Sequence, residues 1–225
     1  MLQQLHPDLW VAEMPFRLAG VEAGARSTLV RLSDGGLWVH SPIALSNRLR
    51  REVEAIGPVR FLIAPNRFHY GHLREWAKAY PNAQVCAVSD VKAPEGVAIA
   101  RILGEESEPE WAEVLSQTLF RGSVATDEAV WYHHASRTLI LTDAAVNIPA
   151  RRDGWSRFVA RLMGVLDVWA PTRYFKASIR DKNAARQSLQ IIQNWDFERV
   201  IVAHGDVCES GGKAVLARAY AFLDG

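Results

Sequence analysis

A layered α/β fold is what this sequence predicts, and three observations predict it. Short apolar runs rich in β-branched and aromatic residues alternate with stretches whose apolar residues recur at helical spacing. Some runs, such as "VRFLIAP", are apolar almost throughout, the pattern of strands covered on both faces. Polar loops carrying His and Asp leave the ends of these runs, where sites gather in such sheets.

The 225 residues are 49% hydrophobic with no shift of composition along the chain, so one domain spanning 1–225 is expected. Its formal charge of +1 gives no global attraction to nucleic acid or to an anionic membrane, and neither is expected as a partner. The first twenty residues interleave Pro7, Asp8 and Glu13 with apolar positions, unlike a signal peptide, and no apolar run reaches the ~20 residues that span a bilayer. Cys86 and Cys208 are too few for a disulfide scaffold, so a cytoplasmic protein with free thiols is expected, although a single bridge between them is compatible with the sequence. Oligomeric state is not legible.

Taken in order, "LWVAE" at 9–13, "STLVRL" at 27–32 and "LWVHS" at 37–41 read as strands, the last two joined by a hairpin turn at Asp34-Gly35-Gly36. "SNRLRREVEAIG" reads as a helix with Ser46 as N-cap, Leu49, Val53 and Ile56 on one face, and Gly57 as its stop. After "VRFLIAP" and the loop "NRFHYGH", a helix is expected from about Leu73 to Ala79, then the strand "QVCAVS". The acidic stretch "GEESEPE" lies in the least patterned part, 92–118. "AVWYHH" and "TLILTD" form a second expected hairpin, and 155–169 a helix with a wide apolar face preceded by Arg151 and Arg152. "NAARQSLQIIQNW" is an amphipathic helix feeding the strand "ERVIVAHGD", and "AVLARAYAFL" a closing helix.

Three of these strands end in metal-ligand types: His69 and His72 after "FLIAP", Asp143 after "TLILT", and His204 after "VIVA". Each alone is an ordinary loop residue or cap. Together they predict one shared polar site.

The order of an N-terminal hairpin sheet, a strand with a His-bearing loop, "TLILTD" and a final "AHGD" resembles the metallo-β-lactamase-fold superfamily. More narrowly, "APNRFHYGH", "EW", "YP" and "SRTLILTD" resemble a divergent branch of it classified only as a domain of unknown function. The resemblance implies a four-layer αββα sandwich. Laid on the family's H-x-H-x-D-H loop, this chain has Arg67, His69, Gly71 and His72 at the four ligand places, so two are lost. Asp143 matches the metal-bridging acid and His204 the final His, while "FRGSVA" lacks the family's remaining His.

The donors left imply one divalent ion, Zn²⁺ with Fe²⁺ and Mn²⁺ as alternatives, held by His72, Asp143 and His204. His69 would be a fourth ligand or would position water, which makes His69 and Asp143 the catalytic candidates. His40, His133, Asp206 and Arg67 are the expected supporting or substrate-facing residues, His40 standing where the family more often has Asp. The implied activity is hydrolysis of a small ester, lactone, thioester or phosphate. The alternative is a metal-free, non-catalytic member in which Arg67 pairs with Asp143 and the cleft binds a small molecule or a protein. A third class, an interaction module using the eight tryptophans, rests on their number alone.

Overall fold

The computed structural model describes residues 1–224. Its first half builds a seven-stranded sheet from β1 (Leu2–His6), β2 (Leu9–Met14), β5 (Ala25–Arg31), β6 (Leu37–His40), β7 (Val59–Ala64), β8 (Gln84–Ala87) and β9 (Ile99–Ile102). A small hairpin, β3 (Arg17–Leu18) with β4 (Val21–Glu22), interrupts it, and α1 (Asn47–Glu54) and α2 (Leu73–Ala79) make the crossovers β6–α1–β7 and β7–α2–β8. The second half forms a four-stranded sheet in the order β10 (Leu115–Phe120), β11 (Glu128–His133), β12 (Thr138–Ile140), β13 (Arg199–Ile201). Helices α3 (Gly154–Met163), α4 (Arg173–Ser178), α5 (Lys182–Asn194) and α6 (Gly212–Tyr220) complete it.

Alternation along the strands of the second sheet explains the layering. Leu119, Ala129, Trp131, Ile140 and Ile201 face the first sheet and share its core with Leu49 and Val53 of α1 and Leu73 and Trp76 of α2. Their neighbours Phe120, Val130, Leu139 and Val200 face the other way, onto Phe175, Ala185, Ile192 and Leu216 of α4, α5 and α6. Successive side chains in a strand point to opposite faces, so one sheet with two apolar faces demands a cover on each. Helices, sheet, sheet, helices is the four-layer order that the family resemblance implies.

Local expectations fare unevenly. Ser46 caps α1, its hydroxyl accepting from Leu49 N at 3.1 Å. Gly35, at φ 83°, and the Asp34 side chain, which accepts from Gly36 N, form the expected turn. The helix expected over 155–169 stops at Met163, because Gly164 takes a left-handed conformation (φ 76°) and residues beyond it bridge to 146–148 as extended chain. Cys86 and Cys208 are free and buried in separate parts of the core, which excludes the bridge between them. Five of the eight tryptophans are buried and only Trp155 is largely exposed, so their number reflects the core.

His133 lies in this core, far from where the sequence reading places it. Strand β11 runs antiparallel to β12, so its last residue sits at the end opposite to the one where β12 delivers Asp143. There His133 meets His6 edge-on, and its Nδ1 lies 2.7 Å from the Ser136 hydroxyl. Burial, then the neighbouring His6, push its pKa down to about 4, with Asp8 opposing and His134 adding slightly. A folded pKa below the unfolded value of ~6.5 means the unfolded chain takes up a proton that the folded protein refuses, so stability is complete above pH ~6.5 and falls as pH drops toward 4. The difference of 2.5 units corresponds to about 3 kcal/mol lost by pH 4. Urea denaturation across this range should show a shallower pH dependence for His133→Phe than for the parent protein; identical slopes would show that His133 is not the titrating group.

Candidate metal centre

β7 delivers the first candidate ligand, His69, through a loop organised by a residue the sequence reading passed over. Asn66, fully buried, uses its side-chain oxygen to accept from Phe68 N (2.8 Å) and His69 N (3.1 Å). That turn, in which a short amide caps the backbone two and three residues on, fixes where His69 leaves the strand. The same side chain donates to Asp143 Oδ2 (2.9 Å), Thr142 Oγ1 (2.9 Å) and Glu128 Oε2 (3.1 Å). Asn66 therefore ties the loop after β7 to the loop after β12.

Glu128 is the second residue missed. Extending the β11–β12 register past Trp131 and Ile140 places it across from Asp143, at the site end of the strand. Fully buried, it accepts from Thr142 N, Asp143 N and Ala144 N at 2.7, 2.7 and 3.0 Å. Burial, then the charge on Asp143, raise its pKa, while the backbone amides oppose the rise. Its contacts are all donors, the arrangement that suits a carboxylate.

The third candidate ligand, His204, follows β13. Gly24 O accepts from His204 Nδ1 at 2.6 Å, and Phe16 stacks on the imidazole with centroids 5.9 Å apart. A carbonyl only accepts, so Nδ1 carries the proton and Nε2 presents a lone pair. Burial and the nearby His69 lower the His204 pKa and keep the ring neutral.

His69, Asp143 and His204 converge, each offering a ligand atom within 4.8 Å of the others. His69 Nε2 is 3.2 Å from Asp143 Oδ2, and His204 Nε2 is 3.9 Å from Asp143 Oδ1. Ligand atoms around tetrahedral Zn²⁺ stand roughly 3.3 Å apart, given metal–ligand bonds of ~2.0–2.1 Å, so this donor set fits a small divalent ion with few adjustments. Ser41, at φ 50°, places its hydroxyl 2.8 Å from His69 Nδ1. Hydrogen bonds to the far nitrogen of each imidazole are the outer contacts that orient metal-binding histidines. Burial disfavours charge on both Asp143 and His69, yet their mutual attraction prevails: the Asp143 carboxyl is held well below the usual range and the His69 pKa is raised.

The other expected residues fall elsewhere. His72 does not join the three: it stands just before α2 and turns toward Glu75, its Nδ1 3.5 Å from Oε2, so the histidine that this loop contributes is His69. The Asn66 turn explains this, because it caps the His69 amide and leaves His72 beyond it. Arg67 is exposed over the Phe68 ring and makes no ion pair among the described residues; Asn66 and His69 meet Asp143 in its place. His40 is buried between Trp38 and Trp131 with Nε2 unpartnered, its pKa driven far down by burial and then by His69; Ser41, one residue on, makes the bond to His69. Asp206 is not among the three and takes a two-pronged ion pair from Arg151 at 2.6 and 2.5 Å. Beside His204, a cavity of about 230 Å³ opens between the β3–β4 hairpin and Gly205, lined by Glu13, Glu22, Arg26 and Arg152.

Comparisons with known proteins agree with this geometry at the level of fold. A metallo-beta-lactamase from Pontibacter korlensis superposes with a TM-score of 0.66 at 11% identity, covering 100% of this chain and 98% of that one. A beta-lactamase domain protein from Burkholderia ambifaria gives 0.62 at 14% identity over 98% of this chain and 72% of the other. A flavoprotein from Thermotoga maritima gives 0.69 at 14% identity, with 99% of this chain matched to 61% of that one. None of the curated proteins matches. The model of one family aligns with residues 7–157, two thirds of the chain, taking in the β7 loop with Asn66 and His69, the buried Glu128 and Asp143. The chain thus has the metallo-β-lactamase fold and belongs to the family described as a domain of unknown function, DUF4336.

Proposed function

We propose that this protein is a metal-dependent hydrolase with a mononuclear site held by His69, Asp143 and His204, acting on a small ester, lactone, thioester or phosphate. One observation carries the reading. His204 is locked by Gly24 O as the neutral tautomer whose free Nε2 lies toward Asp143 and His69, the state a ligand needs before any ion arrives. Charge supports it too, since Asp143 and Glu128 share the Asn66 amide and, among the described residues, only His69 and the neutral-leaning His204 are held against Asp143. A divalent ion, Zn²⁺ or alternatively Fe²⁺ or Mn²⁺, supplies Lewis acidity there, polarising a carbonyl or phosphoryl oxygen and lowering the pKa of water to roughly 7. The chain's own residues set the geometry: Ser41 and Gly24 orient the imidazoles, and Asn66 orients Asp143. Both sheets supply ligands, which suits a chain working as one domain.

The non-catalytic reading keeps a specific observation in its favour, now a different one from Arg67. His69 and Asp143 satisfy each other at 3.2 Å without an ion. No helix is long and apolar enough to cross a membrane among the described residues, and two free thiols suit a reducing cytoplasm, which we propose as the location.

Calorimetric titration of chelator-treated protein with Zn²⁺, Mn²⁺ and Fe²⁺ decides between them. A stoichiometry of one is expected for at least one ion, lost in His69→Ala, Asp143→Ala and His204→Ala and unchanged in His72→Ala. Because the ion must displace the proton of His69, whose pKa is raised, affinity should climb through neutral pH. Absence of heat for all three ions would favour the non-catalytic reading, and loss of binding in His72→Ala would refute the triad as assigned.

A further inference from the structure

Helix α3 is built inside out. Its sequence, GWSRFVARLM, turns the small residues Ser156 and Ala160 inward, both buried, and leaves Trp155, Phe158 and Leu162 in solvent at 55%, 61% and 51% exposure. Positions 155, 158 and 162 share one face of a helix, so the three form a continuous outward stripe. Val168 in the following turn is also exposed, as is Leu18 in the β3–β4 hairpin, whose neighbour Ala19 accepts from Trp155. The stripe is ordered: Trp155 stacks on Phe158, its Nε1 donates to Ala19 O, and Ser156 Oγ accepts from Glu22 N beneath it. Isolated exposed apolar residues need no explanation, but a preorganised row of Trp, Phe and Leu does.

Charge identifies the occupant. Residues 151–173 hold five arginines and two aspartates, a surplus of +3 in a chain whose total is +1. Arg151 and Arg152 are engaged by Asp206 and Glu22. Arg157, Arg161 and Arg173 make no ion pair among the described residues, and the first two are exposed along one side of the stripe on the same helix. An outward Trp/Phe/Leu face bordered by unpaired arginines matches the surface of a helix that lies in the headgroup region of an anionic bilayer, its rings entering the acyl boundary and its guanidinium groups meeting the phosphates. A second copy of the chain meets this face less well, because a two-fold contact would bring the unpaired arginines of both copies together. Nucleic acid has no use for the aliphatic part, Leu162, Val168 and Leu18.

We propose that α3, with the turn after it and the β3–β4 hairpin, docks this protein reversibly on an anionic lipid surface. Whole-chain charge gave no hint of this; its local distribution does. The proposal stands apart from the metal reading, because its readout is lipid binding by the full chain, loaded with metal or not.

Co-sedimentation with phosphatidylcholine vesicles, with and without phosphatidylserine, tests it. Binding is expected only to the anionic vesicles and should weaken as salt is raised. Arg157→Glu with Arg161→Glu should weaken it by about thirtyfold or more, each basic residue near such a surface contributing about fivefold. Phe158→Ser with Leu162→Ser should also reduce it, while thermal melting stays near the parent's because all four side chains are exposed. No binding to phosphatidylserine vesicles, or binding untouched by the charge reversal, would overturn the proposal. So would sedimentation equilibrium showing a homodimer that the same variants dissociate, since the face would then be a self-interface.

Discussion

Glu128→Ala is expected to cost about 3–5 kcal/mol of folding stability, the range for stripping one partner from a buried charged network. The side chain is fully buried and takes four N–H donors, from Thr142, Asp143, Ala144 and Asn66. Alanine leaves those donors in a dry pocket, and an orphaned buried donor forfeits about 1–3 kcal/mol. Glu128→Gln keeps the shape but turns an amide NH₂ against backbone N–H groups, so it should cost about 2–3 kcal/mol rather than rescue the fold. Urea unfolding of both variants measures this. A loss below ~1 kcal/mol in the alanine variant would show that water or a relaxed loop replaces the carboxylate. In the same variant the 142–144 loop loses its clamp, and ion affinity should drop by roughly 10–100-fold, the usual effect of deleting an outer contact to a metal ligand.

Glu128 also shows where the sequence was legible and where it was not. Apolar runs and turn residues located most of the elements, because burial pattern and turn chemistry are local properties. The three loops that meet at the site were readable for the same reason, since each follows an apolar strand. Which side chain of each loop turns inward was not. His69 and His72 are equivalent on spacing, and only the Asn66 turn, which caps the His69 amide, decides between them. His133 was expected at the site because adjacent strand residues face opposite sheet sides, and Glu128 at the strand's other end was not considered. An antiparallel hairpin sends the two ends of β11 to opposite ends of the sandwich, and pairing residues from the turn at 134–137 outward would have pointed to Glu128. Arg67 misled for a related reason: alignment to a family motif gives a place in the loop, whereas the turn sets the direction of the side chain, here outward over Phe68.

Gly205→Ala should be the most damaging small substitution in the molecule, costing about 4 kcal/mol or more. "HGD" after a strand reads as a turn, but the reason for its glycine is tertiary. Gly205 sits at φ +93°, and a Cβ there would lie 1.2 Å from Asn147 O and 2.3 Å from its carbonyl carbon. Both are backbone atoms, and the segment cannot drift aside freely, because Asn147 N donates to His204 O at 3.1 Å and Arg26 donates to Gly205 O at 2.6 Å. Left-handed strain of roughly 1–3 kcal/mol adds to overpacking of about 1–3 kcal/mol or more. Gly211→Ala is the matched control: φ is +67° but nothing lies within 4 Å of the new methyl, so only the conformational cost of about 1 kcal/mol remains. For a chain of this size the contrast should appear as a melting temperature lowered by roughly 8–16 °C in Gly205→Ala against a few degrees in Gly211→Ala. Equal losses would mean the 147 and 205 segments part without cost. If they are clamped as described, the methyl can be housed only by moving His204, so Gly205→Ala should also weaken ion binding while Gly211→Ala leaves it unchanged.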